Sequence, residues 1–214
     1  MPEPFLPLFP LGVVLFPRTD LPLHIFEERY KTMIGEAIDA GSEFGVVWAR
    51  DKGLMNTGCT ALVRDVVKRY DDGQMDIVAV GRRRFELIEL DNELEYTRGA
   101  VLYFDDEDPL EEVRRDTIER AIRGYYACRT VASGQALPEP DLNDPKLSFQ
   151  LAQAIQEPEF RQILLMLRSE ADRLKRLAEF FPVYLNKERR ADFIRQIAPR
   201  NGYVKNRVAT ESSE

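Results

Sequence analysis

The sequence predicts an α+β fold: a small β-barrel with one inserted helix, followed by an α-helical bundle. Three observations predict it. Short β-branched and aromatic runs, set apart by turn residues, occupy the chain from its start to about residue 104. One amphipathic stripe of helical spacing interrupts them after residue 27, and past Leu110 the apolar period turns helical for good. At about 150 residues per domain, 214 residues allow one large domain or two small ones, and the change of period divides them in two. The expected division is 1–107 for the barrel, 108–199 for the bundle and 200–214 for a polar, flexible tail.

The strand candidates come in order. GVVLF at 12–16, PLHIF at 22–26, FGVVWA at 44–49, ALVRDVVKRY at 61–70, MDIVAV at 75–80 and AVLYF at 100–104 are short and rich in strand formers. Asp71-Asp72-Gly73 supplies the positive φ angles of a tight hairpin. Gly81 reads as a break, followed by RRRFELIEL at 82–90, where alternation turns Phe85 and Leu87 inward and Arg84 and Glu86 outward. Between the second and third strands, Tyr30, Met33, Ile34, Ala37 and Ile38 form one face of a helix that Gly41 stops.

In the second half, Val113, Thr117, Ile118, Ala121, Ile122 and Tyr125 make an amphipathic helix. SGQALPEPDLNDP at 133–145 reads as a loop, and LSFQLAQAI at 147–155 as a shorter helix. Pro158 suits a first helical position and opens a run through Phe181, striped by Phe160, Ile163, Leu164, Leu167, Ala171, Leu174 and Ala178. Pro182 limits that run, and a last helix is expected over about 184–197.

Charge narrows the function. A net charge of −7 and a pI near 5.0 disfavour a dedicated nucleic-acid binder, whose affinity rests on neutralising phosphates. Residues 86–112 carry eleven acidic groups against one basic residue, Arg98. That run reads as solvated loop and edge-strand surface, or else as a patch that repels nucleic acid or attracts a basic partner. Cys59 and Cys128 are too few and too far apart for a disulfide framework, which suits a reducing compartment. The apolar opening at 5–17 has no basic residue before it and is interrupted by prolines, so neither a signal peptide nor a membrane span is expected. The protein is read as cytoplasmic.

Catalytic chemistry has no foothold in the motifs. There is no phosphate-cradling GxxxxGK[ST], no GxGxxG after a strand and no GxSxG elbow. One histidine and two distant cysteines offer no metal set, so no cofactor or metal is expected. His24 has no nucleophile at a meaningful spacing and reads as a structural side chain, hydrogen-bonded near the strand-to-helix turn. The chain is expected not to be an enzyme.

PLFPLGVVLFPRTDLPLHIFEERYKTMIGEAI, residues 7–38, resembles the opening of the N-terminal substrate-binding domain of the Lon protease family. In that family a PLFPL…LFP…LPLHIFE.RY…M pattern begins a PUA-like β-barrel. Further matches follow in order: FGVV at 44–47, Gly58 with Thr60, the DDG turn at 71–73, and Gly81, Arg84 and Phe85 in a G-x-x-RF stretch. The helical half is similar to the bundle that follows the barrel, so the resemblance covers about 1–198. Arg18 stands where the protease commonly has Gly, and Glu28 where it commonly has Pro. With the chain ending before the ATPase and protease domains of the full enzyme, the expectation is a stand-alone member.

The motif residues are Phe9, Pro10, Phe16, Pro17, Pro22, His24, Phe26, Glu27, Arg29, Tyr30, Gly81, Arg84 and Phe85. Most are expected to be structural, with binding as a second role. Phe9, Leu15, Phe16, Leu23, Ile25 and Phe26 are spaced to fill a barrel interior, and the prolines to stop strands and stiffen turns. Glu27 sits at the helix start, where the dipole favours a carboxylate, and Arg29 is expected to pair with a carboxylate from a neighbouring loop. The resemblance implies a non-catalytic module that binds unfolded or client polypeptides through a groove between barrel and bundle, alone or with a protease or chaperone system. The alternative is an RNA-binding PUA-like protein, supported only by Arg82-Arg83-Arg84 and by Arg200, Lys205 and Arg207. A third class, an enzyme with a small-molecule pocket, rests on His24 alone.

Overall fold

The computed structural model describes residues 5–50, 53–107, 113–131 and 137–197; the expected tail at 200–214, with its three basic residues, lies outside them. The fold is mixed α+β, with six strands and five helices among the described residues. The strands are β1 (Leu6–Leu11), β2 (Asp20–Ile25), β3 (Phe44–Arg50), β4 (Gly53–Arg69), β5 (Met75–Asp91) and β6 (Arg98–Phe104). The helices are α1 (Glu28–Ala40), α2 (Arg115–Val131), α3 (Leu147–Leu151), α4 (Pro158–Met166) and α5 (Glu170–Ile197). No described helix is long and apolar enough to cross a membrane.

The pairings close on themselves. β1 runs parallel to β3, and β3–β4, β4–β5, β5–β6 and β6–β1 are antiparallel, so five strands return to their start. β2 lies beside the first half of β5, with Asp20 opposite Val80 and Ile25 opposite Met75. Inside the ring Leu6, Leu8, Val47 and Phe85 form a small core. A larger buried cluster runs without a gap from the strands into the helices, joining Phe9, Phe16, Phe44 and Met33 to Phe149, Leu164, Leu177 and Phe181. Cys59 and Cys128 are buried in it as free thiols.

Several expected elements move. The first strand is Leu6–Leu11 rather than 12–16. Val14, Leu15 and Phe16 are apolar because they are buried beside the helices, and they do so without a ladder. β4 and β5 are each 17 residues long, and β5 passes straight through Gly81. Gly81 is a contact point. Its N–H donates to Thr19 O at 3.0 Å, its carbonyl accepts from Arg18 N at 2.8 Å, and a Cβ there would lie 2.0 Å from Phe16 O. The expected helix over 158–181 is two helices, with Leu167–Ser169 between them, and Pro182 lies inside α5.

The prolines need no donor, though not by ending strands. Pro10 and Pro22 lie inside β1 and β2, where one flank of the strand is unladdered. Pro17 stiffens the 16–19 turn, closed by Thr19 N to Phe16 O at 3.3 Å, in which Arg18 takes φ 60°. That left-handed conformation is one glycine adopts without strain. Gly41 caps α1 in the same region, at φ 60°.

Gly81→Ala therefore forces Phe16 out of the turn, and its cost is expected at or above the upper end of the ~1–3 kcal/mol typical of overpacking. Denaturant unfolding of the variant measures it; an unchanged midpoint would show that the turn does not press on β5.

Candidate functional site

The ring and the helices are tied by two buried arginines that share carboxylates. Arg84, on β5, is 2% exposed and Arg173, on α5, is 0% exposed. Asp106, just past β6, accepts from both: Arg173 Nη1 at 2.6 Å and Nη2 at 2.5 Å, and Arg84 Nη2 at 2.6 Å. Arg84 Nη1 also donates to Leu165 O at 3.1 Å and Leu167 O at 2.5 Å, satisfying carbonyls at the end of α4. Arg173 adds Leu167 O at 2.8 Å, Ser148 Oγ at 2.8 Å and Glu170 Oε2 at 2.7 Å. Its guanidinium lies over the Phe149 ring, 4.2 Å from the centroid, and Phe16 stacks on the same ring at 5.3 Å. Burial pushes the Asp106 carboxyl up, but hydrogen bonds and charge from Arg173, with the charge of Arg84, outweigh it and hold the group below the ordinary carboxylate value. Glu170 goes the other way: burial raises it against the donors Ser148 and Arg173.

Alternation does turn Arg84 out of the ring, as its spacing predicts, but outward there means into the helices. The basic cluster Arg82-Arg83-Arg84 therefore does not lie together on one exposed surface. Arg84 is buried, Arg83 pairs with Glu43 at 3.2 Å and lies over Tyr103, and only Arg82 and Arg83 of the three are exposed. The acidic run is likewise partly consumed. Glu86 pairs with Arg168, Asp91 with Arg98 and Asp105 with Lys146, while residues 108–112 lie outside the described part.

Beside this joint lies a cleft of about 300 Å³ between ring and helices. Val13, Val14, Leu15, Leu21 and Pro22 form one wall; Leu137, Pro138, Gln153, Gln156, Pro158 and Arg161 form the other. A wider hollow of about 700 Å³, lined by Trp48, Met55 and Glu159 among others, shares Gly12 with it. Arg161 spans the cleft's two walls. Its Nη2 donates to Val14 O at 2.9 Å and its Nη1 to Ile155 O at 3.2 Å, and its guanidinium rests 4.8 Å from the Phe16 ring centre. Burial pulls this guanidinium down to about 10.

The motif residues scatter around this geometry. Pro22 lines the cleft, Phe16 underlies Arg161, and Pro17 is buried in the adjoining turn. Phe85 fills the ring, and Phe9 packs on Tyr30 at 4.3 Å between rings, while Pro10 is half-buried on β1. His24 Nδ1 lies 2.7 Å from Asp76 Oδ1, on the opposite side of β2 from buried Ile25. Phe26 shares that outer side and is 59% exposed, so it does not fill the interior: strand alternation at Ile25 turns it away. Glu27 is the α1 N-cap residue but makes no side-chain cap. Its carboxylate instead accepts from Arg29 Nε at 3.0 Å and Nη2 at 2.8 Å, so the partner of Arg29 is two residues away and not in a neighbouring loop.

Sequence reading missed Arg161, Gln162, Arg173 and Asp106. On α4 the buried positions are Gln162, Leu164 and Leu165, while Ile163 is exposed. A polar Gln162 faces inward because its Nε2 donates to Thr57 O of β4 at 2.9 Å. No group of three or more metal-ligating side chains occurs among the described residues.

The family described as the ATP-dependent protease La (LON) substrate-binding domain matches this chain over residues 5–182. A Lon protease of Parabacteroides distasonis is 31% identical over 112 residues, which is 49% of this chain and 14% of that protein. The chain thus spans a small part of that curated relative's length. Among solved structures, a Lon N-terminal domain protein from Xanthomonas campestris is similar with a TM-score of 0.64 and 25% identity, over 83% of this chain and 98% of that one. The N-terminal domain of a Mycobacterium avium complex Lon protease has a TM-score of 0.51 at 12% identity, over 84% and 98%, a likeness of fold alone.

Asp106→Asn leaves two buried guanidiniums facing a neutral amide, and is expected to cost about 3–5 kcal/mol at neutral pH. Because the folded Asp106 sits below its free value of 3.8, its stabilisation is full above that pH and is lost as pH falls through the depressed folded value. Thermal unfolding against pH should therefore show a flatter acid limb in the variant than in the parent; parallel limbs would remove Asp106 from the acid response.

Proposed function

The chain belongs to the LON substrate-binding domain family, and from that premise we propose that it is a polypeptide-recognition module that takes exposed apolar segments of client proteins into the cleft between ring and helices. The cleft carries the reading. Its walls combine apolar side chains with the polar Thr19, Asp20, Gln153, Gln156 and Arg161, groups that can hold a chain by contact and by hydrogen bonds, and it lies where two layers meet. In this reading the strand ring is a PUA-like barrel over 1–107, the helices over 108–199 form the opposite wall, and catalysis is left to a separate protease or chaperone partner in the cytoplasm.

Polypeptide rather than RNA as ligand is supported by charge. The net charge is −7, and the basic triplet is depleted by burial of Arg84 and pairing of Arg83. Counterion release has little to act on at such a surface. Val13 presents an exposed apolar side chain at the cleft, while Val183 on α5 is exposed and does not line it.

A photo-crosslinker placed at Val13 should capture a labelled, permanently unfolded polypeptide, and one at Val183 should capture far less. Equal capture at both sites, or no anisotropy change up to about 100 μM protein, a binding energy below about 5.5 kcal/mol, would end the proposal.

A further inference from the structure

Two buried cations in this fold, Arg84 and Arg173, can be compared directly with a half-buried one, Arg161. Arg84 and Arg173 each meet carboxylates, shared through Asp106. Arg161 meets none: among the described residues no carboxylate lies within 4.0 Å of its guanidinium. Its two hydrogen bonds go to backbone carbonyls, and its Nε is buried with no hydrogen-bond partner. A guanidinium has five N–H donors, so donors on Nη1 and Nη2 remain beyond the two used.

A desolvated cation without a counter-ion is a costly arrangement. It persists where an anion arrives from outside to complete it, and such groups cluster at binding sites. Here the cation lines a cleft. The acidic side chain among the lining residues, Asp20, is drawn at 2.6 Å to Arg64, which it shares with Asp65, and it makes no ion pair with Arg161. The lining mixes apolar side chains, Val13, Leu21, Pro22 and Leu137, with the polar Thr19, Gln153 and Gln156. About 300 Å³ is the small end of ligand pockets, a volume that suits the end of a chain, and the cleft meets the wider hollow at Gly12.

We infer that the cleft recognises the free C-terminal carboxylate of a client polypeptide that ends in an apolar residue, with Arg161 as the carboxylate-binding group. The inference rests on the reading of the cleft as the polypeptide site and specifies which part of the polypeptide enters it. The carboxylate takes the remaining donors of Arg161, and the last side chain packs against Val13 and Leu21. A carboxylate from an internal Asp or Glu brings chain on both sides, whereas a terminal one needs room on one side only.

The test uses three fluorescent peptides of one apolar-ended sequence: with a free C-terminus, with a C-terminal amide, and with the amide plus an internal Glu. Anisotropy with the whole protein should show the free acid binding about tenfold or more tighter than either amide. Arg161→Gln should abolish that difference. Because the substitution also removes the tie to Val14, Val13→Asp is the second variant. It lies at an exposed position and sets a like charge at the mouth of the cleft, so it should weaken the free acid more than the amide, whereas Val13→Asn should not discriminate. Equal binding of acid and amide to the parent overturns the carboxylate inference while leaving polypeptide recognition intact. Preference for the internal Glu peptide overturns the terminal assignment. Absence of binding by any peptide, with unfolded polypeptide still captured at Val13, places the site's specificity elsewhere and overturns it too.

Discussion

Asp106 held between Arg84 and Arg173 is the constraint on which the rest of the structure depends. One carboxylate, contributed just after the strand that closes the ring, accepts from a guanidinium on β5 and from another on α5. The same two guanidiniums satisfy Leu167 O, and Arg84 reaches Leu165 O as well. The end of α4 is therefore capped by residues of other elements. α4 stops at Met166, and α5 begins at Glu170, because the intervening carbonyls are taken. Glu170 in turn accepts from Ser148 N at 2.8 Å and so caps the start of α3. One buried network thus sets the ring's closure, the helix break and the entry of the short helix. Its desolvation is offset only while all members are present, and partial satisfaction would be worse than an apolar core.

This network explains what the sequence conceals. A stripe of apolar residues from Phe160 through Phe181 contains no local stop at 167–169, since the groups that end α4 lie on β5 and α5. Pro182 is the converse. It deprives α5 of one backbone bond, at a cost of about 3 kcal/mol, and reads locally as a terminus. Yet Phe181, Tyr184 and Leu185 on either side are buried, and Phe181 presses on Gly124 of α2, so packing carries the helix across. Propensity yields to tertiary contact in both places.

What was legible follows the same division. Local rules sufficed for α1 with its glycine cap, for the hairpin at Asp71–Gly73, and for the inward Phe85. The first strand was displaced because 6–11 carries Pro7 and Pro10, which argue against a ladder, whereas 12–16 looks like a strand and is an apolar lining of the joint. Pro10 is tolerated since β1 pairs with β6 only near Leu6 and Pro7. For the site, alternation correctly turned Arg84 away from the ring's interior. It could not reveal that a second layer covers that face, nor that one member of an acidic run is the buried counter-ion. Arg161 lay beside an apolar stripe read from Phe160, of which Leu164 is buried and Ile163 is exposed, so that stripe gave no sign of it.

The buried arginines and the half-buried Arg161 separate architecture from recognition. Where cations and carboxylates are matched within the chain, as at Asp106, the desolvation is balanced internally and the group serves stability. Around Arg161 the balance is incomplete: two carbonyls, an aromatic face and an unpartnered Nε stand where a carboxylate stands for Arg84. Phe16 joins the two, stacked on Phe149 beneath Arg173 and lying under Arg161. A residue of the opening motif thus connects the joint that is complete to the cleft that is not. Rigidity of the first lowers the ordering cost of the second, because a guanidinium held in place before a ligand arrives spends little entropy in binding it.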